Sequence, residues 1–300
     1  MGRFGMEHGG ESALFWDFFA HSSAYTAEES KERALENGCD ITIALMYGIV
    51  AVVALVQLIR IQVRVPEYGW TTQKVFHLLN FLCSGARCGV MTLRRPLEAL
   101  HPHVFRMIAL DLPGLLFFST YSLLVLFWAE IYHQARRPNS PPTHLRPAFV
   151  AINCGVYALQ IAMWIYLSLV SSPSQAHLLK ILIACFIAVV SSMAAAGFTL
   201  YGGRLFIMLR RFPVQSPGRR KKLKEVGCVT SICTTCFTAR AVIIAYSAFH
   251  LSAEIDVISH PVLNLVYYLA VELVPSALVL FILRKLPPKH PKNGGYQQIS

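Results

Sequence analysis

A helix that crosses a lipid bilayer needs about 20 mostly apolar residues, because hydrocarbon offers no partner to a bare backbone N–H or C=O. Seven runs of about that length occur in the 300-residue chain, near residues 41–61, 75–93, 104–131, 147–170, 178–209, 226–251 and 262–284. The breaks between them are short, polar and turn-like: Pro66-Glu67-Tyr68-Gly69, Arg94-Arg95-Pro96, Pro138 to Pro142, Ser171 to Ser174, Arg210 to Glu225 and His260-Pro261. The second run is the weakest, diluted by Ser84, Gly85, Arg87 and Gly89. No internal repeat is evident. The pattern predicts an all-α, polytopic membrane protein of seven transmembrane helices. It divides into an N-terminal segment over 1–40, a membrane domain over 41–286 and a tail over 287–300.

Charge orients this bundle. Only 14% of the residues are charged, against about a quarter in soluble domains, yet the net charge is +11. Lys and Arg collect in the cytosolic loops of membrane proteins. The loops after runs one, three and five, with the C-terminal tail, hold 17 of them, and the opposite side holds 6. The N-terminus is therefore expected in the lumen and the C-terminus in the cytosol. Residues 1–40 carry eight acidic groups and no basic stretch ahead of an apolar core, so no cleavable signal peptide is predicted.

The densest positive stretch is RRFPVQSPGRRKKLKE, residues 210–225. It reads as the cytosolic loop between spans five and six, where each basic residue near anionic headgroups contributes about 1 kcal/mol. No aromatic residue interleaves with Arg219 to Lys224 to stack a base, which argues against direct nucleic-acid binding. Arg210, Arg211, Arg219, Arg220, Lys221, Lys222 and Lys224 are the candidate partner-binding residues. Residues 60–74 and 132–146 are the other surfaces that a cytosolic protein would reach.

Ionisable groups inside an apolar run need a partner or a purpose. Arg240 lies mid-span six and Glu272 mid-span seven, and they are expected to pair; exchanging the two charges should then restore what either single change loses. Arg87 and Asp111, in the luminal halves of spans two and three, are expected to form a second pair. Glu130 sits at the cytosolic end of span three, placed to anchor the helix end or meet a basic loop. Ser191, Ser192, Ala194, Ala195, Ala196 and Gly197 predict a close helix–helix contact in span five. Trp128, Trp164, Tyr132 and Tyr166 lie toward span ends, where amphipathic rings favour the interface. The eight cysteines read as buried free thiols; Cys233-x-x-Cys236 has no second ligand pair, so no metal is expected. No catalytic constellation and no phosphate-cradling glycine loop is present, so neither an enzyme nor a bound cofactor is expected.

Seven spans with the N-terminus outside is also the topology of G-protein-coupled receptors. Here span three ends in Glu130-Ile131-Tyr132 rather than acidic-Arg-Tyr, and Asn264-Leu-Val-Tyr267 lies at the wrong end of span seven. A receptor- or transporter-like protein using its mid-membrane charges remains the alternative. Five long strings carry a different resemblance: IRIQVRVPEYGWTTQKVFHLLNF (59–81), DLPGLLFFSTYSLLVLFWAEIYHQAR (111–136), GFTLYGGRLFIMLRRFP (197–213), GRRKKLKEVG (218–227) and HPVLNLVYYLAVELVPSALVLFILRKLPPK (260–289). They closely resemble the plant tobamovirus multiplication proteins. The resemblance implies a seven-span protein of the vacuolar membrane, the tonoplast. It would be a scaffold or host factor that tethers tobamovirus replication proteins there and supports viral RNA replication. Implied partners are the tobamovirus replication protein, an ADP-ribosylation-factor-like small GTPase, membrane lipid and paralogues. Tyr296-Gln-Gln-Ile299 in the tail also fits a tyrosine-based sorting signal, with Tyr296 and Ile299 as its two determinants.

Overall fold

The computed structural model describes residues 8–64, 71–98, 103–136, 144–170, 172–211, 217–250 and 260–283; side chains are described from residue 29 onward, except at 95, 98, 217–222 and 250. Every element among them is helical: α1 (His8–Arg64), α2 (Thr72–Thr92), α3 (Arg94–Glu98), α4 (His103–Arg136), α5 (Leu145–Leu169), α6 (Pro173–Gly197), a π-turn (Phe198–Gly202), α7 (Gly203–Arg211), α8 (Pro217–His250), α9 (Pro261–Tyr267), a second π-turn (Tyr268–Leu273) and α10 (Val274–Leu283). The turns in the sequence set the helix starts. Thr71 caps α2, its hydroxyl accepting from the Lys74 N–H at 3.3 Å. Pro173 and Pro261 open α6 and α9 from first-turn positions, where a missing N–H costs nothing.

Six segments are long and apolar enough to cross a membrane: Glu29–Arg64, Val104–Arg136, Leu145–Leu169, Pro173–Arg211, Leu223–Phe249 and Pro261–Leu283. The protein is a multi-pass membrane protein. The expected second span is present as the 21-residue α2 but is not among these six. Lys74, His77, Asn80, Ser84 and Arg87 thin its hydropathy, and all five are buried. α2 packs against both α1 and α4, so its polar side chains face protein, where apolarity is not demanded.

An aromatic core sits between α4, α6 and α8. Phe117 and Phe237 stack at 5.2 Å, Tyr121 meets Phe237 edge-on at 5.1 Å, and Trp128 meets Phe198 edge-on at 5.5 Å. Trp128 and Trp164 are therefore core residues, not the interfacial ones their span-end positions suggested. Only Tyr166 of the expected belt is strongly exposed. The small-residue stretch does face inward at Ser191, Ala194 and Ala195, but the tightest approach comes later. A Cβ on Gly202 would stand 2.5 Å from Thr230 Oγ1 and 2.7 Å from Trp128 Cζ3, and one on Gly227 would stand 2.8 Å from Phe206 Cε2. These two glycines let the α6–α7 rod and α8 lie side by side. All eight cysteines are free, and Cys154 and Cys228 are exposed rather than buried.

α5 lies at the edge of the bundle and shows much apolar surface, with Val150, Leu159, Ile165 and Leu169 exposed. In lipid that surface gains nothing by hiding, so attachment must come from polar contacts and packing. Four polar rungs tie α5 to α4 in antiparallel register. Trp164 Nε1 and Gln160 Nε2 donate to Asp111 Oδ2 at 3.0 and 3.2 Å. Ser119 and Tyr157 hydroxyls meet at 3.1 Å, Asn153 Nδ2 donates to Ser122 Oγ at 3.2 Å, and Arg146 Nε donates to Glu130 Oε1 at 2.8 Å.

Candidate functional site: a buried ionic core and a basic helix end

Glu272 lies on the second π-turn and is 1% exposed. Its carboxylate collects donors from three helices. Tyr47 of α1 donates its hydroxyl to Oε2 at 2.8 Å. Arg87 of α2 grips both oxygens, Nε to Oε2 at 3.1 Å and Nη2 to Oε1 at 2.7 Å. Arg240 of α8 donates Nη1 to Oε1. A bidentate fork onto a carboxylate is among the stronger side-chain hydrogen bonds, and desolvated ions tolerate burial only with such satisfaction. Each guanidinium also covers a ring, Arg87 over Tyr268 at 4.9 Å and Arg240 over Phe117 at 5.4 Å. Gly114 makes room for Arg240, since a Cβ there would stand 2.8 Å from Nη2.

Pro275 follows just after this π-turn. A proline has no N–H, so a carbonyl one turn back loses its helical donor. Cys236 Sγ instead donates to the Ala270 carbonyl at 3.4 Å, and Ser276 Oγ donates to the Glu272 carbonyl at 2.9 Å. Extra turns of this kind are frequent at functional positions.

The geometry places Arg240 against Glu272 and corrects the other expected pair. Arg87 does not bond to Asp111. It turns to Glu272, which offers two oxygens to its fork, while Asp111 is held by the neutral donors Trp164 and Gln160. Tyr47 was not singled out from sequence; its only signal was a hydroxyl in the middle of an apolar run. Among the described residues no group of three or more His, Cys, Asp or Glu is placed to hold a metal ion.

The stretch 210–225 is largely helical, not the loop it was read as. Arg210 and Arg211 end α7 and are exposed. After Pro217 at the helix start, Arg219, Arg220, Lys221, Lys222 and Lys224 lie on the opening turns of α8. Arg and Lys are good helix formers, and nothing after Gly218 interrupts them. Lys224 is exposed; the side chains of 219–222 and all of 212–216 lie outside the described residues. α8 continues unbroken from this end to Arg240. The 16 residues from Lys224 to Arg240 span about 24 Å at 1.5 Å each.

The neighbouring cytosolic candidates fare differently. Arg136 donates to the Tyr132 hydroxyl at 3.0 Å on the exposed end of α4. Lys74 is buried, and next to it Gln73 Nε2 donates to the Leu283 carbonyl at 2.9 Å, joining the start of α2 to the end of α10. Residues 65–70 and 137–143 lie outside the described residues, as do Tyr296, Ile299 and the whole 287–300 tail.

The THH1/TOM1/TOM3 domain family matches residues 21–300. The chain is 57% identical over 262 residues to tobamovirus multiplication protein 3 of Nicotiana tabacum, covering 87% of each sequence. It is 57% identical over 254 residues to tobamovirus multiplication protein 1 of Arabidopsis thaliana, covering 85% of each. No solved structure is a significant match.

Proposed function

The chain belongs to the THH1/TOM1/TOM3 domain family, and from that membership we propose that it is a membrane-resident host factor for tobamovirus multiplication. It tethers the viral replication protein to the vacuolar membrane and so supports viral RNA replication, without catalysing a reaction itself. It does so as a seven-span bundle, α2 being the seventh span, with its N-terminus luminal and its C-terminus cytosolic. An ADP-ribosylation-factor-like small GTPase and paralogues join the same assembly.

The observation that carries this reading is the basic start of α8. Arg219 to Lys224 stand on a helix that is continuous with Arg240 in the ionic core. A docking surface built this way is held by the bundle rather than carried on a loose loop. The exposed Arg210 and Arg211 at the end of α7 add to the same side.

The test is a pull-down of the full-length protein from plant membranes with a tobamovirus replication protein. Neutralising Arg219 to Lys222 to Gln is expected to weaken capture about tenfold or more, since several charge-assisted contacts are lost together. Equal capture by both proteins would move docking to the exposed Arg136 end of α4. No capture by either would reject the host-factor reading and leave the receptor- or transporter-like alternative.

A further inference from the structure

A groove of about 960 Å³ runs down the outside of the bundle where α1 meets α2 and α3. Ala44 and Met91 are buried in its floor. Gly48 lies over Cys88 beneath it, where a Cβ would make an ordinary contact, 3.6 Å from Cys88 Sγ. Ile41, Leu45, Ile49 and Val52 line it and are exposed. Along α1 the lining runs from Asn37 to Val53, about 24 Å of helix. That exceeds the ~15 Å half-thickness of a bilayer's hydrocarbon core, so one acyl chain fits along it.

The groove has a polar end, and the sequence fixes its depth. Glu29, Lys31, Glu32, Arg33, Glu36 and Asp40 are followed by no charge until Arg60. Asp40 and Arg94 line the groove at that boundary, and its apolar body begins at Ile41. Arg94 Nη1 bonds to Asp40 Oδ1 at 3.0 Å, and Nη2 stands 3.2 Å from Glu36 Oε1. Arg94 is buried, whereas Glu36 is half exposed. Among the described side chains, one guanidinium and two carboxylates therefore stand at headgroup level above an acyl-sized channel.

We propose that this groove binds phosphatidylethanolamine, with one acyl chain along α1 and the headgroup at Arg94. The phosphate takes N–H donors of Arg94, and the ammonium donates to Glu36 and Asp40. An anionic lipid would bring its charge to the two carboxylates that flank Arg94. A choline headgroup carries the right charge but has no N–H to donate, whereas an ethanolamine ammonium has three, like the Lys ammonium. A sterol would leave the ionic end unanswered.

The full-length protein in mild detergent, given equimolar phosphatidylethanolamine, phosphatidylcholine and phosphatidylglycerol of identical acyl chains, tests this by native mass spectrometry. Phosphatidylethanolamine adducts are expected to exceed those of phosphatidylglycerol by about tenfold, the worth of one charge-assisted hydrogen bond. Glu36→Gln should narrow that preference. Ile49→Trp, which fills the groove from an exposed position, should reduce adducts of every lipid at unchanged melting temperature. Leu45→Trp fills it independently if the first variant folds poorly. Equal retention of all three lipids, a preference for the anionic one, or adducts unchanged by groove filling would each overturn the assignment.

Discussion

At the scale of single residues, Glu272 is the shared counter-charge of two buried guanidiniums, and its loss should cost more than the loss of either partner. Glu272→Gln strips the anion from both cations at once, an expected loss of about 3–5 kcal/mol, seen as a lowered melting temperature in detergent. Arg240→Gln leaves the Arg87 fork in place and should cost clearly less. The exchange of Arg240 and Glu272 should not rescue, because Arg87 would then face a second cation at position 272. A rescue would mean that Arg87 has turned away, toward Asp111. Reading Arg240 with Glu272 needed only their matching mid-run depths in consecutive spans. Depth could not supply Arg87's partner, because it says nothing about which way a helix face points. Tyr47 was silent for a related reason: tyrosine is ordinary in an apolar run until a carboxylate is known to sit opposite.

At the scale of elements, α5 is held to α4 by rungs that alternate with apolar surface. Breaking one, as in Asn153→Leu, is expected to cost about 0.6–1.7 kcal/mol, measured as a shift in detergent unfolding. The rung residues were visible in the sequence as isolated polar positions. Their pairing was not, because it depends on how far α5 slides along α4. Glycine contacts offer a sharper contrast. Gly202→Ala drives a methyl into Trp128 and Thr230 and should destabilise by about 1–3 kcal/mol. Gly203→Ala meets nothing within 4 Å and should stabilise by up to about 1 kcal/mol through helix propensity. Equal effects at the two neighbours would contradict the packing of the α6–α7 rod on α8. Apolar run lengths gave most helices, whereas the helical start of α8 was hidden because its basic residues look like a loop to a hydropathy reading.

At the scale of the whole molecule, α2 decides the sidedness. If α2 crosses, the chain has an odd number of spans and its termini face opposite compartments; if it does not, they share one. A tag at each end of the protein in sealed membrane vesicles with the cytosolic side outward should show the C-terminal tag open to protease and the N-terminal tag protected. Two accessible tags would leave α2 as a buried, non-crossing helix. The placement of Glu272 has one more consequence, which concerns the order of synthesis. Tyr47, Arg87 and Arg240 all precede it, and chains are made from the N-terminus. Until the final hydrophobic segment arrives, the growing polypeptide carries two intramembrane cations without the anion that both share. Its last anion thus acts as a completion signal. A ribosome product stopped at residue 260 should stay bound to chaperones and be degraded, while one extended to residue 283 closes and survives.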